Sequence, residues 1–247
     1  MLLSLSLTIA LMGAFTLLER RSIHIDWSER WLNLQALVLA ALAKLYLLPL
    51  VVLNTPVALL DGTRMPFWLA FPIFLVAMDF GEYVFHRAQH AIPILWAMHS
   101  LHHSDPDMNA TTAERHFWGD QLLKALTIWP LAAILIQPTV AIVLAYMLAC
   151  LWHTVVHARL NFSFGRLSWL LNSPAYHRRH HSCDPAHFNS NYSALLPIFD
   201  VLSGAYHRPV GFPRTGLSEQ PAGLLSLIIW PVQARGLLLR PKRDVAF

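Results

Sequence analysis

Apolar residues occur along this chain in long blocks separated by short polar turns. Leu2 to Leu18 is almost wholly apolar and ends at Glu19-Arg20-Arg21. Its charges follow the block instead of preceding it, and no small-residue cleavage site follows, so it reads as a retained transmembrane helix, not a signal peptide. Trp31 to Leu60 exceeds the roughly 20 residues a helix needs to span a bilayer. Asp61-Gly62-Thr63-Arg64 reads as a turn, and Met65 to Phe85 as a returning span that delivers the chain to His86. Leu122 to Leu151 is again mostly apolar but holds Pro130 and Gln137-Pro138. A single crossing there would put the histidines before and after it on opposite membrane faces. The expected form over about 120–152 is therefore a hairpin turning near Gln137-Pro138, its tip buried or interfacial, because bare backbone in lipid is costly. Leu224 to Leu239, interrupted by Pro231, reads as interfacial.

Composition supports a membrane protein. Hydrophobic residues make up 55% of the 247 positions and charged residues 13%, against roughly 25% charged in ordinary soluble domains. Sixteen prolines argue against one uninterrupted helical bundle. The formal charge of +4 is modest. Basic residues gather at Arg20-Arg21, Arg178-Arg179 and Arg240-Pro241-Lys242-Arg243, beside apolar runs; that fits an anionic membrane surface, and no nucleic-acid motif accompanies them. If Arg20-Arg21, Arg30, Arg87 and Arg178-Arg179 share one side, the positive-inside rule places them in the cytoplasm and the N-terminus outside. The two cysteines, Cys150 and Cys183, make no disulfide framework.

Histidine changes the picture most. Of 14, ten fall in four groups: His86 and His90 as H-x-x-x-H; His99, His102 and His103 as H-x-x-H-H; His153 and His157 as H-x-x-x-H; His177, His180 and His181 as H-x-x-H-H. On a helix, positions i, i+3 and i+4 share a face, whereas on a strand each H-x-x-H-H would split between faces. The spacing predicts helices converging on one centre with all ten as metal ligands. Two six-coordinate ions offer about twelve positions, leaving a few for water, oxygen or substrate. Imidazole suits iron, zinc, copper and nickel alike, so ligand type does not choose the metal. Ten buried imidazoles without metal would each need a hydrogen-bond partner. His24 and His207 stand alone and read as non-ligands. His116 and His187, outside the groups, read as supporting or substrate-side residues. Asp79, Glu82, Asp105, Asp107 and Asp184 are acids that can orient imidazole N–H groups from behind.

These motifs resemble the fatty acid hydroxylase and sterol desaturase superfamily of membrane di-iron enzymes, from about Asp79 to Tyr206. Asp79 to Arg87 looks like the family's first box, His99 to Ser104 like its second, and Asn109-Ala110-Thr111-Thr112 with Arg115-His116 like the stretch after it. His177 to His181 leads, as in the family, to Asn191-Tyr192 and Leu196-Pro197-Ile198-Phe199-Asp200; Asn191 is assigned to the same supporting role as His116. The sequence departs from the pattern where the family often has a Glu near Asp120, a Gly at Ser193 and a Trp before Asp200, and Ser203-Gly204-Ala205-Tyr206 is an approximate match.

The resemblance implies an all-α, integral-membrane helical bundle of one domain over residues 1–247, with spans about 2–18, 31–60 and 65–85 and the hairpin. A helical cap on the cytosolic side, from 86–120 and 153–208, would carry the dimetal site. It implies two iron ions, which zinc can replace in recombinant protein, with O2 as co-substrate. The activity implied is hydroxylation of a lipid C–H bond, or desaturation at the same site, in a multi-pass protein of a bacterial inner membrane. No flavin, haem or dinucleotide fingerprint is present, so electrons are expected from a separate protein. A metal transporter is the remote alternative; it would favour ionisable residues at mid-membrane, whereas these histidines flank the apolar runs.

Overall fold

The computed structural model describes residues 2–20, 25–47, 58–234 and 236. His24, the stretch 48–57 and the basic cluster at 240–243 lie outside the described residues. Among these residues there are helices and two isolated bridges but no strand. The long helices are α1 (Leu2–Glu19), α2 (Trp27–Leu47), α3 (Phe67–Ala91) and α5 (Trp118–Leu135), with α4 (Pro93–His103) between the last two. After them come α6 (Val140–Cys150), α7 (Trp152–His157), α8 (Pro174–His180), α9 (Ile198–Ser203) and α10 (Leu224–Gln233).

Two of the sequence boundaries move. The block expected as one helix over 31–60 is helical from Trp27 to Leu47, while Leu59 and Leu60 donate backbone N–H groups to Ile134 and Leu135 in a bridge. The helix expected to stop at Phe85 continues through His86 and His90 to Ala91, and Pro93 sets the break. A proline disfavours helix in the residue before it but fits the first turn of the next helix.

Phe67–Ala91 and Val140–His157 are long and apolar enough to cross a membrane. They pack with α5 around Ala70, Phe74, Met78, Ile128, Ala132, Ile142 and Tyr146. The outward faces of α2, α3 and α6 carry exposed Val38, Leu42, Leu45, Trp68, Val76, Phe80, Leu144 and Leu148. Apolar surface of that extent belongs against another apolar phase. The α5 arm leaves the histidine layer after His116, turns at Gln137-Pro138-Thr139, and the chain is back at His153 through α6. At the turn Gln137 N–H donates to Leu60 O, and the 58–64 turn packs so tightly there that a Cβ on Gly62 would strike the Gln137 carbonyl. This turn and the histidines lie at opposite ends of α3, which at 25 residues is about 37 Å long.

That separation makes the membrane topology testable. In a background with Cys150 and Cys183 replaced by serine, single cysteines at Pro106 and Ala186, both exposed, should react with an impermeant maleimide from one face. Cysteines at Thr63 and Gln137 should react from the other. Labelling of Pro106 and Ala186 from opposite faces would contradict a shared histidine layer.

Candidate metal centre

Each histidine group lies on a helix, and the helices bring them to one end of the bundle. α3 carries His86 and His90, and α4 carries His99, His102 and His103. α7 carries His153 and His157; α8 carries His177 and His180, with His181 at its C-cap. Ser173 caps α8 by accepting the Tyr176 N–H, and Pro174 opens it. The grouped histidines are buried apart from His153, which is half-buried.

They do not form one undivided cluster. His86, His90, His99, His103 and His180 bring one ring nitrogen each within 4.8 Å of one another, and His102, His157, His177 and His181 do the same. Each H-x-x-H-H is therefore shared between two sites. From α4, His99 and His103 face the first and His102 the second; from α8, His177 and His181 face the second and His180 the first. Helix geometry explains the division: at about 100° per residue, i and i+4 point about 40° apart, while i+3 and i+4 differ by about 100°. The two sites abut, with the His103 and His181 rings stacked at 4.3 Å between centroids.

The nitrogens fit metal better than they fit each other. His102, His157, His177 and His181 are linked through Nε2 atoms at 3.1, 3.0 and 3.2 Å. His157 Nδ1 lies 2.7 Å from the His153 carbonyl, which can only accept, so Nδ1 carries the proton and Nε2 is a bare lone pair. One Nε2 offers either a proton or a lone pair, so the middle members of this chain cannot serve two neighbours with linear bonds. Imidazoles side by side on an ion, each at about 2.1 Å, stand about 3 Å apart. In the first site His86 Nδ1 donates to Tyr192 O at 2.6 Å, turning toward the centre an Nε2 with no hydrogen-bond partner, and His99 Nε2 has none either. His180 Nδ1 lies 2.9 Å from Ser190 O in the same manner. Backbone carbonyls thus fix the tautomer and aim the ligand atom. Burial holds His99 at about 4, against a partial pull upward from Asp120. Burial and neighbouring histidines hold His102, His177 and His181 well below the usual imidazole range. Burial thus favours the neutral form of these four imidazoles, the form a metal binds.

His153 joins His102 and His116 in a further group. Its ring lies 4.4 Å from that of His157, and His116 stacks on His102 at 4.1 Å. His153 therefore stands beside the second site, next to His157, without joining its four histidines. His187 stays out, bonded through Nδ1 to Ser182 Oγ at 2.9 Å, and Cys183 joins no group among the described residues.

The acids proposed to orient imidazoles have other partners. Asp79 accepts the backbone N–H groups of Leu195 and Leu196, both at 2.9 Å. Its effect on His86 is indirect, through the segment that presents the Tyr192 carbonyl. Glu82 pairs with Lys124 at 2.7 Å. Asp105 accepts from Asn33 and Thr112, Asp107 pairs with Arg159, and Asp184 caps the Pro185–His187 turn. Asn191, at φ 59°, uses its amide on Tyr176 O, His207 O and His207 N–H, not on an imidazole. The acid that does face the histidines is Asp120, noted in the sequence only as a departure. It is fully buried, accepts from Gln89 Nε2 at 2.5 Å, and lies 3.5 Å from His116 Nδ1 and 3.8 Å from His99 Nδ1. Asp200 anchors the cradle behind His86: it accepts Tyr192 N–H, Ser193 N–H and the Tyr176 hydroxyl at 2.6–2.9 Å. Asp200→Ala strands three buried donors at about 1–3 kcal/mol each, not strictly additive. Thermal unfolding of the variant should fall by several degrees, and an unchanged melting curve would contradict the anchoring role.

A cavity of about 360 Å³ opens beside the second site, lined by His86, His99, His102, His116, His153 and His177 at its histidine end.

The fatty acid hydroxylase model matches residues 71–205, more than half of the chain. This protein belongs to the fatty acid hydroxylase family. The matched stretch contains all ten grouped histidines and the Asp79, Asp120 and Asp200 contacts. Among curated relatives, the alkylglycerol monooxygenase of Danio rerio is 37% identical over 67% of the chain and 35% of its own length. The Xenopus tropicalis alkylglycerol monooxygenase is 36% identical over 56% of the chain and 30% of its own length. The ornithine lipid hydroxylase of Rhizobium tropici is 31% identical over 66% of the chain and 50% of its own length. The chain thus matches about a third of the alkylglycerol monooxygenases. No solved structure matches it.

Proposed function

We propose that this chain is an integral-membrane lipid hydroxylase that uses O2 at a pair of iron ions. The observation that carries the reading is the division of the histidines into two abutting nitrogen-only groups at the end of a cavity between apolar helices. His86, His90, His99, His103 and His180 would hold one ion; His102, His153, His157, His177 and His181 would hold the other. Iron held there would supply the oxidising power toward an alkyl C–H bond. The chain's own residues aim the imidazoles, through the carbonyls of Tyr192, Ser190 and His153, and enclose the substrate away from bulk water. Zinc would also occupy such a site in recombinant protein, since imidazole does not exclude it. Electrons would come from a separate electron-transfer protein.

The spans would be α1, α2, α3 and the α5–α6 hairpin, with the histidine layer on the cytoplasmic side. Arg30 and Arg178 add little to that orientation, because both are buried, Arg30 against Glu19 and Arg178 over Phe212 and backbone carbonyls. Exposed Arg20 and Arg87 carry it, with the half-buried Arg179.

Desaturation is the second reading, favoured by a 28% identical sterol desaturase from Aspergillus fumigatus over 60% of the chain. Mass spectrometry of membrane lipids from cells with and without the protein separates the two: a gain of one oxygen atom marks hydroxylation, a loss of two hydrogens desaturation. Identical lipid profiles under aerobic expression of metal-loaded protein would defeat both.

A further inference from the structure

The histidine layer has a cavity on each of two sides, and the two cavities share no residue. The large one is lined by His86, His99, His102 and His177, then by Asp79 and the Glu82–Lys124 pair, and farther off by Leu75 and Met147. The small one, of about 30 Å³, is lined at its inner end by His90, His103, His180 and His181. The division follows the helices. On α3, His90 stands four residues beyond His86; on α4, His103 stands four beyond His99; and at the end of α8, His180 and His181 stand three and four beyond His177. A step of that size is one turn, about 4.5–6 Å along the axis. On α3 it leads away from Leu75, and so away from the apolar part of the large cavity.

The outer wall of the small cavity is Trp96, Phe188 and Leu217, with Ser182, Asn189 and Gly216. Its mouth is at the surface, because Asn189 is exposed and Phe188 half-buried, whereas Ser182 and Leu217 are buried. That surface is the aqueous one expected for the histidine layer. Exposed Ala186 lies two residues before Phe188, and Gly216 packs on Pro106 so closely that an added Cβ would strike the Pro106 backbone.

This space is not the position of an ion, since it lacks His86 and His99, which supply two of the five nitrogens of the first site. It holds about one or two molecules the size of water, far too little for an alkyl chain. Its polar groups are already committed: Ser182 Oγ accepts the Asp184 N–H and bonds His187 Nδ1, and Asn189 Oδ1 accepts the Tyr192 hydroxyl. A buried water needs about two to four polar partners, and what remains of the outer wall is two aromatic side chains and a leucine. Such space suits a small apolar molecule. Two reactants have to meet at the histidines. A lipid in the large cavity covers His86, His99, His102 and His177 and closes that side. The small cavity is then still open.

We propose that O2 reaches the histidine layer from the aqueous side, through the cavity bounded by Trp96, Phe188 and Leu217, with Phe188 at its mouth. This rests on the O2-dependent lipid-oxygenase reading and adds to it a separate O2 site, one that lets O2 arrive after the lipid is in place.

Two probes test it. Crystals of the full-length, zinc-loaded protein pressurised with xenon should show a xenon atom between Trp96, Phe188 and Leu217, because apolar cavities stay dry and take up xenon. Xenon in the large cavity alone overturns the proposal. In the second experiment the full-length, iron-loaded and reduced protein, in lipid nanodiscs under argon, is mixed with nitric oxide as a stand-in for O2, and binding is followed by absorbance. Phe188→Trp narrows the mouth and should slow binding at least about tenfold, within the roughly one to three decades over which association rates vary among variants of one site. Phe188→Ala widens it and should leave the rate at or above that of the wild type. Met147→Trp narrows the large cavity and should leave the rate unchanged. Leu217→Phe, which narrows the same space from its other wall, replaces Phe188→Trp if that variant fails to fold. A folded narrowing variant with the wild-type rate, slowing by Met147→Trp instead, or equal slowing by Phe188→Ala and Phe188→Trp overturns the proposal. Xenon at the expected place in a protein whose reduced, iron-loaded form binds no nitric oxide would instead strike the iron-oxygenase reading beneath it.

Discussion

His102→Ala and His180→Ala should each bring O2-dependent lipid oxidation to background, a loss of at least about 100-fold, and lower bound metal from about two ions per chain. His102 reaches the second site from a helix that otherwise serves the first, and His180 does the converse. Each is the lone contribution of its helix to that site. Removing His102 takes away one end of the chain of nitrogens through His157, His177 and His181. Removing His180 takes one of five nitrogens from the first site. The control is His207→Ala: that imidazole is exposed, and only its backbone is used, by Asn191. Metal content and product formation should be measured together at matched folded-protein levels. His102→Ala behaving like His207→Ala would mean that the histidine groups are structural.

Asp120→Ala is expected to have the next largest effect, about 10–100-fold in metal affinity or turnover. Asp120 is fully buried and receives the Gln89 amide, with His116 Nδ1 and His99 Nδ1 close by. Alanine would leave the amide unmatched and remove the only carboxylate grouped with His99 and His116 among the described residues. Asp120→Asn keeps the shape and an acceptor for Gln89, and should fall between alanine and wild type. The readouts are the rate of metal loss to a chelator and the turnover of fully loaded protein. A merely structural role would lower the melting temperature and leave the chelator rate of the folded fraction unchanged, and that result would remove Asp120 from the centre.

Asp120 also marks where sequence reading stopped. It stands four residues after His116, a helical spacing that could have paired the two, but it lies seventeen residues after His103 and nothing local links it to the grouped His99. Glu82 and Asp79 gave the opposite error. Their position just ahead of His86 suggested that they steady imidazoles, yet one is committed to Lys124 and the other to the N–H groups of Leu195 and Leu196. Their partners lie 42 residues or more away, 82 to 124 and 79 to 195, and periodicity carries no information over that distance.

The sequence alone determined which residues are gathered and on what kind of element. Spacings of three and four place imidazoles on one side of a helix, and the apolar block interrupted at Gln137-Pro138 marks where the α5–α6 hairpin turns. Only the tertiary structure decided that each H-x-x-H-H is divided between two sites, that His116 lies against His102, and that the Glu82–Lys124 pair faces the cavity. Spacing fixes an angle about one helix axis. Which ion or cavity that angle faces depends on how neighbouring helices are rotated and how closely they approach, and that is set by side chains packed from distant parts of the chain, such as Phe74, Ile128 and Tyr146.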